Sequence, residues 1–187
     1  MGITHHPSAQ LVADYLIANI SPGVAPVVAA HIERCPKCGL RATVAAGDAG
    51  QPEFMSVNMS ELGAEVAPRS RPGALGGIQL QPWTTLGQGV EGALALNTSG
   101  LGEVVYVLRV APKGEISATT LKSAFALLVM EGALTIDGRR LRAGDMVEVT
   151  ASPTSVSADS SKGVSLLVVA DERPRGLGRG LGRVAKP

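Results

Sequence analysis

The stretch His31-Ile32-Glu33-Arg34-Cys35-Pro36-Lys37-Cys38 holds both cysteines of this 187-residue chain and one of its three histidines. If the residues before Pro36 are helical, His31 and Cys35 lie one turn apart on the same face of that helix. Pro36 suits the first turn of a following helix, which would bring Cys38 to the same point. The stretch therefore predicts that one imidazole and two thiols converge at one place.

A fourth donor is available near the N-terminus, where His5 and His6 are the two remaining histidines. Either of them could complete a set of two nitrogen and two sulfur ligands, the set that Zn²⁺ prefers in tetrahedral sites. We therefore predict a zinc site. The alternatives are a thioredoxin-like redox pair or two unrelated buried thiols. The redox pair is disfavoured because no βαβ pattern surrounds the two cysteines.

Three short helices are predicted around this stretch. The first follows Ser8, a typical N-cap, and carries apolar residues at helical spacing. The second begins near Val24, and the third runs from about Pro36 to Ala46. A fragment of about 46 residues has a small core and usually needs a metal or disulfides to fold. We therefore expect the zinc to be structural rather than catalytic.

A fourth helix is predicted after Gln51, with an apolar stripe that includes Met55, Met59 and Leu62. This stripe either packs on the first three helices or fits a groove on a partner protein. The Pro/Gly-rich residues 67–77 that follow are predicted to be a linker.

From Ile78 onward, short β-like runs replace the helical period. Asp137-Gly138, between two such runs, predicts a type I′ hairpin turn. About eight strands in one segment are typical of an antiparallel barrel or jelly roll. The predicted strands are Ile78–Leu80, Trp83–Leu86, Glu91–Leu96, Val104–Ala111, Ser123–Met130, Gly132–Ile136, Met146–Val149 and Val164–Ala170.

Charge and hydropathy narrow the possible partners. Residues 1–66 hold six acidic and three basic residues, which argues against a zinc-finger nucleic-acid module and favours a basic protein partner. Residues 173–187 carry five positive charges and no acid, and we expect a disordered basic tail there. No signal-peptide pattern and no apolar run of about 18 residues is present, so the sequence predicts a soluble cytoplasmic protein without a membrane partner.

The segment 130–138, followed by Leu141-Arg142-Ala143-Gly144-Asp145, resembles the cupin family. Metal-dependent cupins place two His and a Glu in their first motif and another His in their second. The corresponding positions hold no histidine, so we expect no metal in this domain and no metal-dependent cupin chemistry. A ligand pocket and a filled barrel both remain open. The positions that match the cupin ligands are near Thr119, Leu121, Ala124 or Phe125, and Ser155 or Ser157.

The HxxxCxxC motif formed by His31, Cys35 and Cys38, with His6 upstream, resembles the zinc-binding anti-sigma domain. Together with the segment 82–90 and the cupin-like body, residues 3–172 resemble the ChrR type of anti-sigma factor. The resemblance selects His6 rather than His5 as the fourth zinc ligand. The expected architecture is a small all-α zinc-binding domain in residues 1–66, a linker, an all-β cupin-like (jelly-roll) barrel in residues 78–172 and the basic tail.

The resemblance also implies a function. The chain would bind and inhibit a group IV (extracytoplasmic-function) sigma factor as a 1:1 complex in the cytoplasm, with no enzymatic activity and no direct contact with nucleic acid. A stress signal, sensed by the zinc domain, the cupin-like domain or both, would release the sigma factor. The alternative is a cupin-type small-molecule-binding protein or enzyme with a structural zinc domain. The candidate partner contacts are Leu11, Tyr15, Leu16, Met55, Met59 and Leu62.

Overall fold

The computed structural model describes residues 2–48, 75, 78–95, 102–112, 114–150, 153, 156–158 and 162–177. The predicted fourth helix, with Met55, Met59 and Leu62, lies outside the described residues. So do most of the predicted linker and of the predicted basic tail.

Three helices form the N-terminal part, which we call the helical region: α1 Ala9–Leu16, α2 Ala25–Arg34 and α3 Pro36–Asp48. The Ser8 side chain caps α1 by accepting a hydrogen bond of 3.2 Å from the backbone N–H of Leu11. Pro36 opens α3 directly after α2, because a proline in the first turn loses no helical hydrogen bond. The three predicted helices are confirmed, and α3 extends two residues beyond the predicted end at Ala46.

In the described part of the chain, eight strands follow, all paired antiparallel, and we call them the sheet region. Their spatial order is β1-β2-β3-β8-β4-β5, and β6 and β7 also pair with the long strand β4. A short 3₁₀ helix over Ala118–Leu121 precedes β4. The strands are β1 Thr84–Gly87, β2 Val90–Leu94, β3 Val104–Val110, β4 Ala124–Ile136, β5 Arg139–Arg142, β6 Met146–Glu148, β7 Val156–Ala158 and β8 Val164–Ala170.

The predicted strands are confirmed except at two places. Ile78–Leu80 is not a strand, and only Leu80 forms a single bridge, to Ala95. The two runs predicted on either side of Glu131 form one strand, β4, with a register shift against β8 between Val129 and Glu131. Gly132 has a φ of +79°, and a Cβ there would collide with the carbonyl oxygen of Gly163, so only glycine fits.

The predicted hairpin turn between β4 and β5 is confirmed. Asp137 and Gly138 have φ values of +46° and +78°, as a type I′ turn requires. The flanking residues Ile136 and Arg139 pair directly across the turn. Strand β7, which sequence reasoning missed, pairs with the same end of β4 and is three residues long.

Both faces of the central strands are buried, because side chains alternate between two apolar clusters. Tyr106 and Leu108 of β3 point into an inner cluster enclosed by the sheet. Val105 and Val107 of the same strand point into an outer cluster that also contains Val27 and other residues of α2. Strands β4 and β8 alternate in the same way. The helical region thus packs on the outer face of the sheet.

Polar contacts join the two regions beside this apolar contact. The Arg34 guanidinium donates a hydrogen bond of 2.8 Å to the carbonyl oxygen of Met130. The backbone N–H of Gly23 donates one of 3.1 Å to a carboxylate oxygen of Glu103. Among the described residues, no helix has both the length and the apolar character needed to cross a membrane.

Candidate metal centre

His6, His31, Cys35 and Cys38 come together at the junction of α2 and α3. Their four donor atoms lie within 4.8 Å of one another. His6 Nδ1 is 3.3 Å from Cys35 Sγ and 3.5 Å from Cys38 Sγ. His31 Nε2 is 3.3 Å from Cys38 Sγ. Within the described part of the chain, these four residues form the one cluster of His, Cys, Asp or Glu side chains whose arrangement could hold a metal ion.

The helix junction explains why these residues meet. His31 lies in the last turn of α2, and Cys38 lies in the first turn of α3. Cys35 occupies the junction in an extended conformation, and its backbone N–H donates a hydrogen bond of 2.8 Å to the carbonyl oxygen of His31. The carbonyl oxygen of Cys35 accepts a hydrogen bond, also of 2.8 Å, from the backbone N–H of Gly39 in α3. Local backbone structure therefore fixes the spacing of His31, Cys35 and Cys38.

The separations between donor atoms fit one zinc ion at the centre. A tetrahedron with Zn–S of 2.3 Å and Zn–N of 2.0–2.1 Å has N···S edges of about 3.6 Å. The three N···S separations given above, 3.3, 3.3 and 3.5 Å, are close to that value. Three of the four residues are also shielded from water, since His31 and Cys38 are fully buried and Cys35 is 2% exposed, whereas His6 is half-buried.

The protonation of the donors also suits a metal site. Burial lowers the pKa of His31, and the hydrogen bond to the Gly144 carbonyl opposes this. Burial, helped by the charges of Lys37 and Arg41, lowers the pKa of His6. Both imidazoles are therefore neutral at pH 7 and can donate a lone pair. Burial also raises the pKa of the Cys38 thiol to about 11, with the neighbouring Cys35 adding to the shift. A metal ion must displace that proton in order to bind.

The hydrogen bond of His31 fixes which nitrogen faces the cluster. His31 Nδ1 is 2.8 Å from the carbonyl oxygen of Gly144, in the turn between β5 and β6. Because a carbonyl can only accept, Nδ1 carries the proton and the lone pair of Nε2 faces the cysteines. His5 takes a different position, with Nδ1 3.3 Å from a carboxylate oxygen of Asp145. The structure thus brings His6, and not His5, to His31, Cys35 and Cys38.

Sequence reasoning quoted Gly144 and Asp145 as a turn of the cupin-like motif but did not place them beside the candidate metal cluster. Asp145 is fully buried although it is charged. Burial raises its pKa, but hydrogen bonds from the backbone N–H groups of His5, Arg142 and Thr4 hold the net pKa below its usual value. No local pattern in the sequence signals this contact, because it joins residues more than 100 positions apart.

The residues proposed as partner contacts occupy different environments. Leu11 and Tyr15 are half-buried against the outer cluster, and Leu16 is half-buried as well. The structure also exposes three large apolar side chains that sequence reasoning did not single out. These are Ile17, 67% exposed, Leu40, 67% exposed, and Val44, 59% exposed. Leu40 and Val44 are one turn apart on α3 and share a face.

The positions that match the cupin metal ligands carry no metal-binding side chains where they are described. Leu121 and Ala124 belong to the inner apolar cluster. Phe125 packs against the outer cluster, and Ser157 is exposed on β7. The Thr119 side chain and Ser155 lie outside the described residues. The described inner face of the sheet is lined by buried apolar side chains, as in a filled barrel.

Comparison with known proteins supports the fold. Neither a family model nor a curated protein matches the chain. The chain is similar to a chain in the crystal structure of Rhodobacter sphaeroides SigE in complex with the anti-sigma ChrR. The TM-score is 0.68 at 22% identity, and the match covers 90% of this chain and 99% of that chain. The resemblance to the ChrR type is thereby confirmed at the level of the fold.

Two partial matches concern the sheet region. KdgF from Halomonas sp. gives a TM-score of 0.41 at 13% identity and covers 50% of this chain and 88% of its own. An RmlC-like cupin from Shewanella frigidimarina gives 0.38 at 16% identity, with coverages of 50% and 83%. The predicted order of elements, a helical region with a His₂Cys₂ cluster followed by an antiparallel eight-stranded sheet, is confirmed.

Proposed function

We propose that this chain is an anti-sigma factor whose zinc-held helical region binds and inhibits an extracytoplasmic-function sigma factor in the cytoplasm, as a 1:1 complex. The observation that carries the proposal is the four-donor cluster at the α2–α3 junction of a chain that has the fold of ChrR over 90% of its length. The ChrR structure is that of a complex with SigE, which makes a sigma factor the partner to test first.

The metal contributes structure in this proposal. Zinc bound by His6, His31, Cys35 and Cys38 cross-links the N-terminal segment to α2 and α3. Such a link contributes of the order of 10 kcal/mol in small zinc domains, enough to decide whether three short helices hold one arrangement. The helical region then presents a fixed surface to its partner.

The partner surface in this proposal combines two sets of apolar side chains. The exposed residues Ile17, Leu40 and Val44 are available without rearrangement. The acidic excess of residues 1–66 favours a basic partner surface, such as one that otherwise contacts DNA. The second set is the one proposed from the sequence: Leu11, Tyr15, Leu16, Met55, Met59 and Leu62.

Release of the sigma factor follows a stress signal at the zinc site, the cupin-like region or both. At the zinc site, the signal is a peroxide-class oxidant. Two-electron oxidation of the Cys35 and Cys38 thiolates forms one disulfide and expels the zinc ion. The peroxide takes the two electrons, and two protons from the solvent, and its O–O bond breaks to give two waters, or one water and one alcohol. Loss of the ion removes the link that fixes the helical surface.

The chain is not an enzyme in this proposal. The alternative, a cupin-type small-molecule-binding protein or enzyme, requires convergent polar groups inside the barrel. Leu121 and Ala124 place apolar side chains there instead. No described feature favours that alternative.

Binding to a sigma factor tests the proposal. The full chain is co-expressed with each extracytoplasmic-function sigma factor of its own genome and purified under reducing, zinc-replete conditions. We expect a 1:1 complex with one of them, measured by size exclusion with light scattering. Cys38→Ser, which removes a zinc ligand, should abolish the complex, whereas Ala45→Ser at an exposed position of α3 should not. Failure of the zinc-loaded chain to bind any of these sigma factors would overturn the proposal.

A further inference from the structure

The turn between β5 and β6 lies against the metal cluster although it belongs to the sheet region. Its Gly144 carbonyl oxygen accepts a 2.8 Å hydrogen bond from His31 Nδ1. The turn can present this carbonyl because Gly144 adopts a φ of +92°, which favours glycine. A Cβ at that position would also lie 2.5 Å from Cδ1 of Ile3, so the N-terminal segment packs directly over the turn.

The next residue of the turn, Asp145, holds that N-terminal segment. One oxygen of its buried carboxylate accepts hydrogen bonds from the backbone N–H groups of Thr4, at 2.7 Å, and His5, at 3.0 Å. The backbone N–H of Met146 donates a third, of 3.2 Å, to the carbonyl oxygen of His5. The backbone directly before His6 is therefore held through its N–H groups by Asp145 and through the His5 carbonyl oxygen by Met146.

The same carboxylate also shapes the turn. Its second oxygen accepts a hydrogen bond of 2.8 Å from the backbone N–H of Arg142. The backbone N–H of Asp145 in turn donates a hydrogen bond of 2.8 Å to the Arg142 carbonyl oxygen. One buried side chain thus fixes the turn that orients His31 and the segment that carries His6. Two of the four metal ligands are oriented by a single turn of the other region.

We propose that the Gly144–Asp145 turn is the outer coordination sphere of the zinc site, and that Asp145 is a positioning residue that couples metal affinity to the docking of the helical region on the sheet. Outer-sphere partners of metal-bound histidines orient the ring and strengthen binding. Because coupling is reciprocal, loss of the zinc must also loosen the contacts of Asp145 with the N-terminal segment. This inference concerns the metal site and holds whether or not the partner is a sigma factor.

Asp145→Asn tests the proposal, because the amide keeps the shape and one accepting oxygen but replaces the other oxygen with an NH₂ donor, so that the backbone N–H groups of Thr4, His5 and Arg142 can no longer all be accepted. We expect the zinc Kd of the full chain, measured by competition with a chromophoric chelator, to rise about 10- to 100-fold. The matched control is Glu103→Gln. Glu103 also accepts a backbone N–H from the helical region, that of Gly23, but does not contact the cluster. Its zinc Kd should stay within about twofold of the wild type.

A second measurement on the wild-type chain covers the case in which Asp145→Asn does not fold. Hydrogen exchange followed by NMR, with and without zinc, should show about tenfold or more faster exchange of the Thr4, His5 and Met146 amides after zinc removal. The amides of β3 should remain protected. The proposal is overturned if folded Asp145→Asn binds zinc as tightly as Glu103→Gln, or if zinc removal leaves exchange at Thr4 and His5 unchanged.

Discussion

Acidification should weaken zinc binding, because zinc must displace the proton of the buried Cys38 thiol in order to bind. Burial and the neighbouring Cys35 raise the pKa of the Cys38 thiol to about 11, so this thiol is protonated in the metal-free chain throughout the range of pH 6 to 8. Each thiol proton that zinc displaces makes the affinity change about tenfold per pH unit. Cys38 alone therefore predicts about a hundredfold weaker zinc binding at pH 6 than at pH 8.

The histidine ligands do not reverse this direction. Burial lowers the pKa values of His6 and His31, so both rings stay neutral over most of that range and release no proton to the metal. Any protonation of these rings near pH 6 would weaken binding further. The pH dependence of the zinc affinity near neutrality therefore comes from displacement of thiol protons and not from the histidines.

The assay is chelator competition at pH 6, 7 and 8, with titration calorimetry in buffers of different ionisation enthalpy to count the released protons. Elemental analysis first establishes one zinc per chain. Cys38→Ser should bind zinc more weakly, and its pH dependence should be less steep by one proton. A wild-type affinity that does not change with pH, or a slope that Cys38→Ser leaves unaltered, would refute the assignment of Cys38 as a ligand.

Three further predictions concern the fold and the partner surface. Gly132→Ala should lower the free energy of unfolding by clearly more than Gly138→Ala, measured by chemical denaturation. Both glycines have positive φ, which costs about 1–3 kcal/mol for alanine, but only at Gly132 would a Cβ meet backbone. Leu128→Ala should lower the free energy of unfolding by about 3–5 kcal/mol, because this fully buried side chain lies in the outer cluster. A loss below about 1 kcal/mol would contradict the docking of the helical region on the sheet. Leu40→Glu should reduce sigma-factor affinity about tenfold or more with stability changed by less than about 0.5 kcal/mol, whereas Ala45→Glu, the same charge elsewhere on α3, should not.

The elements that the sequence predicted well are those fixed by short-range chemistry. The convergence of His31, Cys35 and Cys38 follows from their spacing across a helix junction, which Pro36 makes abrupt. The hairpin follows from Asp137-Gly138, because few other pairs tolerate two successive positive φ values. In both cases a few neighbouring residues determine the geometry.

The features that sequence reasoning missed depend on contacts distant in the chain. The two strands predicted on either side of Glu131 form one strand, β4, because Gly132 lets the chain before β8 approach next to a bulge. The contact of Asp145 with the N-terminal segment has no local signal at all. One signal was present but not used: the unbroken apolar run Leu166–Ala170 of β8 indicates a strand buried on both faces, and therefore a covered outer face.

Transcription in vitro tests the proposed function most directly. Core RNA polymerase and the sigma factor that binds this chain transcribe from the promoter of that sigma factor while the zinc-loaded full chain is added stepwise. We predict that transcription stops at one equivalent of chain per sigma factor and returns when peroxide oxidises Cys35 and Cys38 and releases the zinc. Transcription that continues undiminished at tenfold excess of the zinc-loaded, reduced chain would contradict the proposed function.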